Sequence, residues 1–136
     1  MIAVDTNVLV YAVDAEEPVK GPGAIALLRE LESQRTVLLW QVVCEFGATL
    51  VRRQLRDGLR IGIPEVLAAW LDIFPLVLPT AGVVTHGWRL HDAHQLSYWD
   101  AMLLGACVDA GVSRLYTEDM QSTPTIEGVE IVNPFK

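Results

Sequence analysis

Lysine is nearly absent from this chain of 136 residues, occurring only at Lys20 and Lys136. Ten basic residues face 17 acidic ones, and the formal net charge is −7. A chain that grips nucleic acid through phosphate contacts alone is usually basic. That mode is excluded unless cations bound to the carboxylates offset the repulsion, and the acidic balance favours a basic partner segment. Cysteine is equally scarce. Cys44 and Cys107 lie far apart and form no metal-type pair, which fits a reducing cytoplasm. No apolar stretch approaches the length of a membrane-spanning helix. The N-terminus has no basic region and carries Asp5 almost at once, so no signal peptide is expected. Internal repeats, low-complexity runs and linkers are missing. So is the nucleophile–histidine pair used in metal-free acyl or phosphoryl transfer.

What is present is apolar: 51% hydrophobic against 20% charged residues, enough for a real core in one domain spanning 1–136. Ile2-Ala3-Val4 is a short apolar run without alternation, the pattern of a strand covered on both faces in a parallel sheet. It stops at Asp5, followed by Thr6, Asn7 and a segment long enough for a short helix. Ligands of open α/β sheets gather outside the carboxyl ends of the strands. Asp5 therefore either faces a ligand or caps the next helix.

Residues 14–22 read as a loop, and Ala24, Leu27, Leu28 and Leu31 place a helix over about 23–33. Thr36–Leu39 is a second buried strand, parallel to the first through a right-handed crossover. A long helix over about 41–57 carries Val42, Phe46 and Leu50 as its stripe and Glu45 on the flank, near the edge that holds Asp5. Arg52, Arg53, Arg56 and Arg60 form the densest basic patch, either a solvated helix end or a phosphate contact. Ile63-Pro64 starts a helix that Pro75 ends. It is apolar on more than one face through Val66, Leu67, Trp70, Leu71 and Phe74, so it is a core wedge or half of a homodimer interface. Leu76–Leu78 is a strand candidate. The helix over 80–95 carries His86, His91 and His94, read as surface residues because nothing completes a zinc spacing.

Ser97-Tyr98-Trp99-Asp100 matches a capping box for a helix that runs to Ala110 and stops at Gly111, with Gly105 allowing a close neighbour. Strand Arg114–Thr117 delivers Glu118-Asp119 to the same edge, and Val129–Val132 is the last strand. Asp5, Glu45, Asp100 and Asp119 thus arrive from separate elements at one sheet edge. Like charges at close range raise each other's pKa, so a cation is expected there, and oxygen-only ligands favour Mg²⁺ or Mn²⁺. Phosphodiester hydrolysis by metal-activated water is the chemistry such a site serves.

Val4-Asp5-Thr6-Asn7-Val8-Leu9-Val10-Tyr11, Glu45, Ser97-Tyr98-Trp99-Asp100-Ala101 and Leu115-Tyr116-Thr117-Glu118-Asp119-Met120 together resemble the PIN-domain family, more narrowly the VapC-type ribonuclease toxins of toxin–antitoxin pairs. The resemblance spans essentially the whole chain. It implies an α/β, three-layer fold with a parallel five-stranded sheet flanked by helices. It also implies Mg²⁺- or Mn²⁺-dependent endoribonuclease activity, with Asp5, Glu45, Asp100 and Asp119 as catalytic and metal-binding residues. Thr6, Asn7, Thr117 and Glu118 would support them. Implied partners are RNA, a cognate antitoxin whose arm covers the acidic groove, and a second copy of the chain, with no membrane. Trp40-Gln41 stands where the family often has a Ser or Thr cap. A receiver domain would need an acidic pair and a late lysine, and a haloacid-type phosphatase Asp-x-Asp, where this chain has Asp5-Thr6-Asn7. A catalytically inactive PIN-like binding module is the remaining alternative.

Overall fold

All three residues of β1 (Ile2–Val4) are buried, as an apolar run without alternation requires of a strand covered on both faces. The computed structural model describes residues 1–120 and 124–136. After β1 come α1 (Thr6–Val13), α2 (Lys20–Leu31), β2 (Thr36–Leu39), α3 (Trp40–Asp57) and α4 (Ile63–Ile73). Then follow β3 (Leu76–Val77), α5 (Ala81–His94), α6 (Tyr98–Ala110), β4 (Arg114–Tyr116), β5 (Thr125–Ile126) and β6 (Val129–Val132). The strands lie in the order β3-β2-β1-β4-β6-β5. β1, β2, β3, β4 and β6 run parallel, with helices flanking the sheet.

The five expected strands are thus parallel, but the sheet has a sixth member. β5 pairs antiparallel with β6 through a turn at Glu127-Gly128, where φ is 46° and 83°. Positive φ at both central residues is the hairpin turn that matches strand twist. A two-residue strand with glutamate at the first turn position carries no pattern that a sequence reading can register.

The helix expected from Gly23 starts earlier, at Lys20. Pro22 then falls in its first turn, where N–H groups have no intrahelical partner and proline is tolerated. α3 starts at Trp40, and its cap residue Leu39 offers no side-chain bond. α4 is less free than its composition suggests. Phe74 just after it is 2% exposed, and Trp70 packs edge-on to Phe46 at 5.1 Å, while Leu71 and Ile73 remain exposed. α6 meets α5 closely. A Cβ added to Gly105 would lie 2.7 Å from both Gly87 N and Val83 O, so only glycine lets the two backbones approach this far. Both cysteines are free; Cys44 is exposed and Cys107 is buried in the core. Among the described residues no helix is long and apolar enough to cross a membrane.

Candidate metal and nucleic-acid site

The chain lays β1, β2 and β3 on one side and then places β4 on the other side of β1. This reversal makes the β1–β4 boundary the topological switch point, where crevices form in open α/β sheets. Val4 is in register with Tyr116, so Asp5 and Thr117 leave the sheet side by side. Asp5 N–H donates to Tyr116 O at 2.8 Å, and Thr117 Oγ1 donates to Asp5 Oδ2 at 2.8 Å. Asp5 Oδ1 accepts the Thr6 N–H at 2.7 Å. Asp5 therefore does both things its position allowed: it caps α1 and it lines a cavity.

That cavity, about 310 Å³, is lined by Asp5, Glu45, Asp100 and Asp119 together with Thr6, Asn7, Gln41 and Arg53. Three of the carboxylates are oriented by donors. Thr6 Oγ1 donates to Glu45 Oε2 at 3.1 Å, and Gln41 Nε2 donates to Glu45 Oε1 at 3.0 Å. Asn7 Nδ2 donates to Asp119 Oδ2 at 3.3 Å, and the Asp119 N–H donates to Thr117 Oγ1 at 3.0 Å. The Asp100 carboxylate makes no hydrogen bond among the described residues. Half of the expected capping box is formed: Ser97 Oγ accepts the Asp100 N–H at 3.3 Å, which leaves the Asp100 side chain uninvolved in the cap.

Electrostatics match this crowding. Burial pushes the Asp5 carboxyl up to about 6. Bonds from Thr117 and Thr6 oppose the shift, and the charges of Asp119 and Glu45 add to it. Asp119, at the exposed rim, is raised by partial desolvation and then by Asp100 and Glu118. Asn7 Oδ1 is buried without a partner among the described residues.

Do these residues fit a divalent cation? The donors are all oxygen, and the two strand-end acids titrate high because burial, and then neighbouring carboxylates, disfavour their charged forms. A polar oxygen of Asn7 is left over beside them. Among the described residues no three His, Cys, Asp or Glu stand together as a closed ligand cluster. A hard ion that keeps several waters and takes one or two carboxylates directly needs no such cage. The donor chemistry therefore fits Mg²⁺ or Mn²⁺ and not a tetrahedral zinc site. His86, His91 and His94 do not line the cavity; they contact Arg89, Leu96 O and Glu127 instead.

Gln41, Arg53, Tyr11 and Trp99 also line the cavity. Gln41 stands four residues before Glu45, a helical spacing that brings the two side chains together, and it also donates to Trp99 O at 3.1 Å. Arg53 is the one member of the arginine patch on the cavity wall, paired with Asp14 at 3.1 Å. Glu118 does not line it; it turns away toward Tyr11 and Lys20.

Acids carried to the switch point of a mostly parallel sheet by β1, α3, α6 and the turn after β4 define a PIN-like nuclease architecture. The PIN domain family model matches residues 2–121, and the chain belongs to that family. Within it the chain is of VapC type. It is 31% identical over 123 residues to Ribonuclease VapC23 of Mycobacterium tuberculosis, covering 88% of this chain and 93% of that protein. VapBC2 from Rickettsia felis, solved bound to a DNA fragment from its promoter, has the same fold with a TM-score of 0.73 at 14% identity, covering 98% of both chains. A toxin–antitoxin complex from Klebsiella pneumoniae superposes with a TM-score of 0.69 at 17% identity, over 100% of this chain and 99% of that one. VapC20 of Mycobacterium tuberculosis, a toxin that cleaves the sarcin-ricin loop, gives 0.65 at 20% identity, over 89% and 92%.

Proposed function

We propose that this chain is a Mg²⁺- or Mn²⁺-dependent endoribonuclease and the toxin of a toxin–antitoxin pair. The observation that carries the reading is the meeting of Asp5, Glu45, Asp100 and Asp119 in one cavity of a VapC-type PIN domain. A divalent ion bound there would supply charge neutralisation at the phosphodiester and a more acidic water. The chain's own residues prepare that site. Thr6, Thr117 and Gln41 hold the Asp5 and Glu45 carboxylates in fixed orientation, and Asn7 does the same for Asp119. Asp100 is free to adjust to a metal or to substrate. Arg53 offers a positive group to a phosphate, and its partner Asp14 keeps it in place when the cavity is empty of RNA.

The partners follow the same reading. A protein of net charge −7 with an acidic cavity suits an antitoxin that presents a basic arm. Self-association is best served by the face next to the cavity. There Trp40, Leu78, Tyr98 and Trp99 are exposed on the lining of an apolar groove of about 560 Å³, and exposed Trp88 packs beside Tyr98. Exposed apolar surface gathered in this way marks protein–protein contact. We therefore place the homodimer interface on α5 and the start of α6, not on α4.

The test pairs stability with cleavage for Asp100→Asn. Because the cap is made by Ser97 Oγ and a backbone N–H, the substitution should not lower the melting temperature in chelator, and relief of repulsion should raise it or leave it unchanged. Millimolar Mg²⁺ should stabilise the native chain by preferential binding and the variant much less, and RNA cleavage should fall by orders of magnitude. A variant that melts lower by the same amount in both conditions and still cuts RNA normally would remove Asp100 from the site.

A further inference from the structure

Glu118 is adjacent in sequence to Asp119, yet its carboxylate is engaged on the other side of the turn. Tyr11 Oη donates to Glu118 Oε1 at 2.5 Å, and Lys20 Nζ donates to Oε2 at 2.9 Å. Lys20 Nζ lies 5.1 Å from the centroid of the Tyr11 ring and 5.9 Å from that of Phe135. The two rings meet edge to face, 5.2 Å apart at 87°. Groups from α1 and from the first residue of α2 thus converge on one carboxylate, with Phe135 of the C-terminal segment beside both. Hydrogen bonds to an ionised acceptor are stronger than neutral ones, and the ammonium gains further from the aromatic faces.

The turn after β4 is therefore held from both sides. On the cavity side Thr117 Oγ1 accepts the Asp119 N–H, and Asn7 bridges Thr117 and Asp119. On the outer side Tyr11 and Lys20 hold Glu118. Met120, next to Asp119, has φ at 58°, in the left-handed region. Moving Glu118 must then move the neighbouring carboxylate. Lys20 brings a positive charge to Glu118, whose own charge is felt at Asp119.

We infer that Tyr11 and Lys20 are positioning residues for Asp119, acting through Glu118 to fix the turn that presents its carboxylate to the metal. This rests on the reading of Asp119 as part of the metal site. The test is the Mn²⁺ affinity of the full chain, read from the free-ion signal in electron paramagnetic resonance well below each variant's melting temperature. Native protein is compared with Lys20→Met, Lys20→Arg, Tyr11→Phe and Asp119→Asn. Loss of a group that orients a ligand typically weakens metal binding about 10–100-fold. Lys20→Met should raise the Mn²⁺ Kd by about tenfold, Tyr11→Phe by less, and Lys20→Arg should recover most of the loss. A role in stability alone would lower melting temperatures and leave the Kd of the folded chain where it was. Should Lys20→Met not fold, Tyr11→Phe carries the test, because it keeps the ring against Phe135 and removes only the hydroxyl. Native affinity in whichever of these two variants folds, with Asp119→Asn clearly weakened, overturns the inference while the metal site stands. Native protein that binds no Mn²⁺, or Asp119→Asn with native affinity, overturns the metal site first and this inference with it.

Discussion

Asp5 is the residue at which the cost of the site is concentrated. It is 6% exposed, and its carboxyl titrates at about 6 in place of its ordinary 3.8. Between those values the folded chain keeps a proton that the unfolded chain has released. The folded state therefore binds more protons, and stability without metal falls as pH rises across that window and then levels off. Two units correspond to about 3 kcal/mol, and the raised Asp119 acts in the same direction. Urea melts in chelator should show native protein losing stability from about pH 4 to 6, with Asp5→Asn losing much less. Changed hydrogen bonding in Asp5→Asn adds an offset that does not vary with pH, so the difference in slope is the readout. Equal slopes would mean that Asp5 ionises at its ordinary value. With millimolar Mg²⁺ present the native loss should shrink, since the charged form then has a partner.

At the scale of elements, α6 brings Asp100 to the cavity, and its place is set by contact with α5 at Gly105 and Gly87. The two glycines are not equivalent. At Gly105 an added Cβ meets backbone atoms of Val83 and Gly87, which cannot yield without separating the helices. At Gly87 it meets Sδ and Cε of Met102, the movable end of a flexible side chain. Overpacking typically costs about 1–3 kcal/mol, so Gly105→Ala should be destabilising in that range and Gly87→Ala clearly milder, as measured by chemical denaturation. The reverse order would mean that the α5–α6 contact is looser than described. The role of Gly105 was legible in the sequence, because a glycine in the middle of an apolar helix marks close approach. So were the buried strands, whose lack of alternation separates them from half-exposed ones. The start of α2 was not legible, because Pro22 in a polar stretch reads as a breaker unless the helix is known to begin just before it. β5 was lost for want of length. The four acids were legible as a set because parallel topology fixes which ends of strands and helices share an edge. Gln41 was within reach of the sequence through its spacing to Glu45 on one helix, whereas Tyr11 was hidden, because its partner Glu118 comes from a turn far away in the chain. The direction of Glu118 was hidden for the same reason: it is decided by Lys20, which is distant in sequence.

At the scale of the whole molecule, an acidic cavity lies beside an aromatic face. Trp88, Tyr98 and Trp99 form a continuous row, with ring centroids 5.6 Å and 5.1 Å apart, and Trp99 is 62% exposed while also lining the cavity. If two copies meet through this row, their cavities lie near one another across the interface. Sedimentation at micromolar concentration should then give a dimer for native protein and a folded monomer for Trp88→Glu, with Leu71→Glu on α4 remaining a dimer. A native monomer, or a dimer that survives Trp88→Glu and fails in Leu71→Glu, would return the interface to α4.

In the proposed function the carboxylate cavity directs hydrolysis of RNA by water with the help of a divalent ion. The most direct measurement is the chemistry of the ends left when purified protein cuts a panel of RNAs, with Mn²⁺ and with chelator. Attack by water, with no 2′-hydroxyl as nucleophile, predicts a 5′-phosphate and a free 3′-hydroxyl. Cleavage should be present with Mn²⁺ and absent with chelator. A 2′,3′-cyclic phosphate, or cutting that continues in chelator, would contradict it.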